Sequence, residues 1–485
     1  MNKQNTLIIS KKTLIFVAFT IISYCILFVL NALNINVDIL GTLIYIGLIA
    51  FIAIKNKGIL IKYMLFIVVF TWHIGSVLFV ENNNTFLYNL QKTTYRLGAF
   101  IPLLCFYLIG FLTILVLESN RNSILLSAVE NAQDLSAESF DKSKVLGLSV
   151  KSRLRVLSSI YFVLIAFMLF RLRSKGYYSM GGIDRFDYRN AVFSFLDMKL
   201  YTYIAWFLPI SLRISDYGMK KRAFFFFAIY VFYLIWVGDK FGSLFNAFYF
   251  CLLTIWATKR INKQTFRRLL CLIASVLALL MIYISYQVLY ERGNIYEIGI
   301  YFSRRLTGGQ SDLWWGIYRI EKGGGWRIAE FSDELKAIFT QPASVFDYNF
   351  GIYKMMRITA PSAIINNYLS RGVRFAASTQ ASLFYYFKYT GLIFGAIILF
   401  SLVFFIVNHA IIAYKTGDII ESICYTMFLS KTITLIQMSE IDMIGNITTI
   451  VGILVLVAKK QIIKHHSSYI ITPKRSMIRS HSSRW

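Results

Sequence analysis

An all-α polytopic integral membrane fold is predicted by three observations. Apolar residues fill 57% of 485 positions and charged residues only 15%, a balance that soluble enzymes of this length do not show. The apolar positions collect in runs of about 15 to 22 residues, long enough to cross roughly 30 Å of hydrocarbon as helices. The net charge of +27 is divided into short clusters between those runs, the pattern of membrane loops, which argues against nucleic-acid binding.

Taken in order, runs near residues 13–31, 37–54, 62–80 and 97–117 predict four spans. A second group lies near 156–170, 198–214, 223–237, 241–257 and 269–290, and a third near 383–407, 418–438 and 443–458, making about 12 transmembrane helices in a single membrane domain over residues 1–485. Lys11 and Lys12 ahead of the first run resemble the start of a signal peptide, but no small-residue cleavage site follows, so the run reads as a retained span. All five cysteines lie inside apolar runs, where a thiol behaves as a small hydrophobe and implies neither a disulfide framework nor a zinc site.

Lys and Arg set the orientation. Lys55, Lys57, Lys62, Lys151, Arg153, Arg155, Lys220, Lys221 and the tail from Lys459 share one side of the alternating topology, which makes that side and both termini cytoplasmic. The polar stretch 118–155 then reads as a flexible cytoplasmic linker, and 459–485 as a basic tail at the membrane surface. Two segments fall outside: 171–197 and the long loop 291–378, which holds eleven Lys or Arg against eight Asp or Glu.

The residues able to do chemistry gather in these outer segments. The smaller loop contains Gly181-Gly182 followed by Asp184, Arg185 and Arg189; if helical, it sets the two guanidiniums on one face, a geometry suited to phosphate. The 35-residue block 223–257 is too long for one span. It predicts a hairpin whose turn Gly238-Asp239-Lys240-Phe241-Gly242 holds charges near the outer interface, where they are costly and mark a site by default. In the long loop, Ile295, Ile298 and Phe302 form an apolar stripe leading to Arg304-Arg305. Ser332 with Asp333 and Glu334 predicts a helix start, and Pro361-Ser362 another that ends near Arg371 and Arg374. Amphipathic short helices of this kind would lie on the membrane surface and cover a groove. Trp314, Trp315 and Trp326 read chiefly as interfacial belt anchors, and Lys431 as a snorkelling cation or a partner of Glu440. Neither outer loop contains histidine or cysteine, so no metal site is expected there and basic side chains dominate: the natural chemistry is anion binding and leaving-group stabilisation.

The dozen spans, the late outer loop, the GDKFG turn and the sequence RFAASTQASLFYYFKYTGLIFG from Arg374 to Gly395 together resemble Wzy-type oligosaccharide repeat-unit (O-antigen) polymerases. The resemblance implies a GT-C-like fold in the bacterial inner membrane with a periplasmic active site and no cofactor. It implies transfer of a glycan from undecaprenyl pyrophosphate onto an incoming lipid-linked repeat unit, with a chain-length regulator as partner. On that reading Arg185, Arg189, Lys240, Arg304, Arg305, Arg371 and Arg374 would bind pyrophosphate, and Asp239, with Asp312 next, would orient or deprotonate the acceptor hydroxyl. O-antigen ligases share the layout but use a histidine in the large outer loop, which this chain lacks there. A flippase for lipid-linked oligosaccharide is the other alternative, although no internal repeat is evident.

Overall fold

The computed structural model describes residues 9–132, 144–174, 242–258 and 293–470, apart from 56, 121–122, 146–147, 304–308, 341, 343, 371–372 and 377–378, with scattered positions between 209 and 290. Its first half begins with helices α1 (Lys11–Ala32), α2 (Asp38–Lys55), α3 (Lys57–Lys62) and α4 (Met64–Asn82). A short antiparallel hairpin, β1 (Phe86–Leu87) with β2 (Lys92–Thr93), leads into α5 (Phe100–Glu118). The stretch expected to be a flexible linker contains α6 (Ile124–Asn131), capped by the Ser123 hydroxyl, and the hairpin β3 (Lys144–Val145) with β4 (Leu148–Ser149). The chain continues through α7 (Val150–Ser174) and α8 (Gly242–Ala257).

The long loop supplies α9 (Ile295–Ser303), α10 (Gly309–Glu321), α11 (Ile328–Ala337), α12 (Gly351–Thr359) and α13 (Ser362–Ser370). After it come α14 (Thr379–Thr416), α15 (Ile419–Met438) and α16 (Ile447–Ile470). Among the described residues seven segments are long and apolar enough to cross a membrane: α1, α2, α4, α5, α14, α15 and the segment Ile441–Gln461 that contains α16. They coincide with the first four and last three runs read from the sequence.

Polar contacts sort the span ends into two faces. On the near face Lys55 donates to Ser10 (3.1 Å), Lys62 pairs with Glu118 (2.8 Å) and Lys459 with Glu421 (2.7 Å). On the far face Asn31 donates to the Gly98 carbonyl (3.0 Å), and the Glu81 carboxylate accepts the Leu97, Gly98 and Ala99 amides that begin α5. A carboxylate at a helix N-terminus satisfies otherwise orphaned donors and complements the helix dipole. At the centre α5 and α14 approach closely, because a Cβ on Gly110 would sit 2.3 Å from the Phe400 ring; small residues are how membrane helices gain close packing. Among the described residues Leu14, Phe19, Ile447 and Leu454 are exposed, so α1 and α16 present apolar outer faces of the kind that lipid covers.

The helix α14 is not one rod. Lys388 has φ 55° and ψ −140°, and the chain folds back there. A Cβ on Gly391 would lie 2.4 Å from the Leu383 carbonyl oxygen, and one on Gly395 would lie 2.5 Å from the Leu383 side chain, whereas residues eight apart in a straight helix are about 12 Å apart. Residues 379–387 therefore form a short first arm against the spanning second arm, and the span predicted near 383–407 starts too early.

Candidate functional site

The far-face elements converge on a charged cluster beneath the fold-back. The last turn of α10 places Glu321 at 2% exposure, and the glycines after it let the chain turn toward α11. Lys388 donates to Glu321 Oε2 (2.6 Å) and to the Glu321 carbonyl (3.2 Å). Arg327, just ahead of α11, reaches Glu321 Oε1 (2.8 Å) and Glu330 Oε1 (3.0 Å) through its two terminal nitrogens, using the fork of the planar guanidinium. Lys354 on α12 approaches Glu330 Oε2 at 3.0 Å, and the Tyr385 hydroxyl donates to the same oxygen (2.7 Å). The neighbouring Glu334 accepts from the Tyr386 hydroxyl (2.6 Å) and the Gly351 amide (2.7 Å).

Aromatic faces wall this cluster. Arg327 lies 5.0 Å from the Tyr385 ring centre, Lys354 is 5.3 Å from that of Tyr386, and Lys388 is 5.4 Å from that of Phe384, distances at which ring quadrupoles attract cations. The Tyr385 hydrogen bond, helped by Lys354 and Arg327, holds the Glu330 carboxyl down at about 2. Burial pushes Glu334 up, against the hydrogen bonds from Tyr386 and Gly351. Two carboxylates thus share three cations, and Glu330 is the open member, its side chain 38% exposed.

Arg374 stands beside this cluster. It pairs with Glu440 and lies 5.9 Å from the Tyr353 ring centre. The turn that carries Glu440 packs on α12: Gly351, at φ +50°, comes so close that a Cβ would sit 2.4 Å from the Ser439 carbonyl oxygen.

Asp312 occupies the opposite end of α10. It is 2% exposed, receives a hydrogen bond from Asn89 on Oδ2, and has no partner on Oδ1. Tyr368 in turn donates to Asn89 (2.6 Å). Burial pushes the Asp312 carboxyl up to about 7, partly opposed by the Asn89 hydrogen bond. A value near neutral suits proton exchange, but the group lies behind Asn89 rather than on an open surface. Among the described residues no three His, Cys, Asp or Glu side chains group as a metal site would require.

Arg374 and Asp312 are the two predicted site residues that the described structure contains, and it sets them in separate surroundings. Arg185, Arg189, Asp239, Lys240, Arg304, Arg305 and Arg371 lie outside the described residues. Three other expectations are corrected. Trp314 and Trp315 are fully buried, Trp314 donating to the Ala99 carbonyl (2.9 Å), so they anchor the loop to α5 rather than to a lipid belt; Trp326, 61% exposed, remains free for that role. Lys431 donates to Thr448 and Thr449 (both 2.6 Å), and Glu440 is paired with Arg374. The helix expected to start at Ser332 starts at Ile328, and Ser332 lies within it, bonded to the Ala329 carbonyl.

The residues that sequence reasoning missed are Glu321, Arg327, Glu330, Glu334, Lys354 and Lys388. One signal was present: Lys388 is a lone charge at the head of an apolar run, which marks a site by default. The profile of a family of unknown function, DUF6418, matches residues 345–453. That match takes in Lys354, Arg374, Tyr385, Tyr386, Lys388 and Glu440, and stops short of Glu321, Arg327 and Glu330. No curated protein and no solved structure matches the chain.

Proposed function

We propose that this protein is a GT-C-like membrane glycosyltransferase of about 12 spans that polymerises oligosaccharide repeat units carried on undecaprenyl pyrophosphate, at the periplasmic side of a bacterial inner membrane. The observation that carries the reading is the far-face cluster in which Arg327, Lys354 and Lys388 share two carboxylates between aromatic walls. Pairing with Glu330 and Glu321 keeps these cations in place while no anion is bound. A lipid diphosphate would displace Glu330 and receive charge-assisted hydrogen bonds from groups already in position.

In the reaction the acceptor hydroxyl oxygen attacks the anomeric carbon of the growing glycan. The bond to the diphosphate breaks, the electron pair leaves with the lipid diphosphate, and a carboxylate accepts the hydroxyl proton. Asp239 keeps the role of proton acceptor proposed for it. Asp312 suits a positioning role, because Asn89 and Tyr368 separate it from any open surface. Both termini are cytoplasmic on this reading, and a chain-length regulator is the expected partner.

The test is to replace Lys354, Arg327 and Arg374 singly by Ala and examine surface polysaccharide. Normal expression with lipid A core capped by a single repeat unit supports the polymerase. Core bearing no repeat unit favours a flippase, unligated full-length polymer favours a ligase, and full-length ladders in all three variants overturn the assignment of the cluster.

A further inference from the structure

The helix α11 is amphipathic the wrong way round for water. Ile328 and Leu335, seven apart on one face of α11, and Phe339 in the turn just after it are exposed, Phe339 to 85%, while Glu334 is buried and Glu330 turns its half-exposed carboxylate to the cationic cluster. A helix bathed by solvent puts its acids outside and its apolar stripe against the core. The end of α11 also lies at the head of the apolar outer face of α16: a Cβ on Gly445 would fall 1.7 Å from the Ile338 carbonyl oxygen, and Ile444 and Ile447 beside Gly445 are themselves exposed. The apolar stripe of α11 is thereby adjacent to that face.

We infer that α11 is an interfacial membrane helix, with Ile328, Leu335 and Phe339 immersed at the headgroup–acyl boundary of the far-face leaflet. Exposed apolar side chains on a helix lying along a bilayer gain the free energy of burial that they lack in water. Trp326 at the start of the helix fits the same boundary, where indoles concentrate. The inference concerns the membrane alone and stands whether or not the polymerase reading holds. Its consequence is that Arg327 and Glu330 lie at the level of lipid phosphates, so the anion that reaches them can be a lipid headgroup arriving sideways from the bilayer.

Spin labels at Leu335→Cys, Phe339→Cys and Lys336→Cys test this in the full-length chain, with its native cysteines replaced by Ala, in phosphatidylethanolamine–phosphatidylglycerol vesicles. Labels at 335 and 339 are expected to collide with oxygen and be shielded from an aqueous nickel chelate, with at least a several-fold contrast to the label at 336. Equal nickel access at all three positions overturns the inference, as does dipolar broadening at 339 that reports a second copy of the chain. Should the cysteine-free chain not fold, a benzophenone amino acid at 339 in the native chain decides the same question: crosslinking to phospholipid supports the inference and crosslinking to protein overturns it.

Discussion

Two buried Lys–Glu pairs sit at opposite faces of this molecule and are built differently. On the near face Lys62 meets both oxygens of Glu118 (2.9 and 2.8 Å), Asn408 Oδ1 accepts from Lys62 (3.0 Å), and the Tyr63 hydroxyl donates to Glu118 (2.7 Å). Every partner there is local to the pair, and α3, α5 and α14 are locked together by it. On the far face Lys388 meets Glu321 (2.6 Å), but Glu321 is shared with Arg327, Arg327 with Glu330, and Glu330 with Lys354. The Lys388 backbone is also held in a conformation that L-residues rarely adopt. The first arrangement is closed; the second is an open-ended chain of shared partners, which is what the proposed anion binding would require.

The largest expected effect breaks the closed pair. Lys62→Leu alone leaves Glu118 buried without its cation and should lower stability by about 3–5 kcal/mol, whereas Lys62→Leu with Glu118→Leu should recover most of that loss. Thermal unfolding in detergent checks this, and a double variant as unstable as the single one would remove the distinction between the two faces.

Next comes the far-face carboxyl at Asp312. Burial raises its folded value to about 7, above the ordinary carboxyl value of 3.8, so the folded state holds the proton more tightly. That contribution is fully present below about 4, and it is lost as pH rises through about 7, changing by roughly 1.4 kcal/mol per pH unit in between. Asp312→Asn should therefore gain relative to the parent as pH rises from 4 to 7, and then run parallel. Unfolding midpoints across that range measure it; parallel curves throughout would show that Asp312 is ionised in the fold.

A smaller effect isolates the strain at the fold-back. Lys388→Gly and Lys388→Ala both remove the ion pair with Glu321, but only glycine adopts φ 55° without penalty, so the Gly variant should be the more stable by about 1 to 3 kcal/mol. In an ordinary helix the order is reversed, which makes the sign of the difference the readout. The smallest effect is expected at the solvent side of the chain of partners: Glu330→Gln should change stability by about 1 kcal/mol or less, since its side chain is 38% exposed. If Glu330→Gln proves as damaging as Lys62→Leu, the far-face chain is as closed as the near-face pair.

Much of this architecture was legible in the sequence, for a physical reason. Spanning helices require long apolar runs, so the first four and last three runs overlap the described spans, although the one predicted near 383–407 starts before the fold-back at Lys388 and stops short of Thr416. The site was less legible. Glu321 and Lys388 are 67 positions apart and Glu330 and Tyr385 are 55 apart, and no periodicity links residues that meet through the fold-back of a chain. Trp314 and Trp315 were misread because indoles at a membrane interface and indoles in a buried loop core look alike in composition. The start of α11 was misread because Ser332 has the chemistry of a helix cap but lies in the middle of the helix, whose N-cap position is Arg327. Arg374 was legible as a member of the far-face arginines, but its partner Glu440 was assigned to Lys431, since a lone intramembrane lysine invites the nearest carboxylate.

The fold-back at Lys388 also sets an order of assembly. The first arm begins at Thr379, whose hydroxyl donates to the Leu435 carbonyl (2.6 Å) and accepts from the Ser439 amide (3.0 Å), and Gly351 rests on the Ser439 carbonyl. Those supports belong to the end of α15 and to the turn after it, more than fifty positions later in the chain. As the protein leaves the ribosome, the cations and acids of the outer loop are made well before the floor that holds them. The far-face cluster is therefore completed only when the penultimate described span has crossed back, and a chain ending at Thr416 carries Arg327, Lys354, Lys388 and Glu321 but lacks the supports that Leu435 and Ser439 give to Thr379 and Gly351.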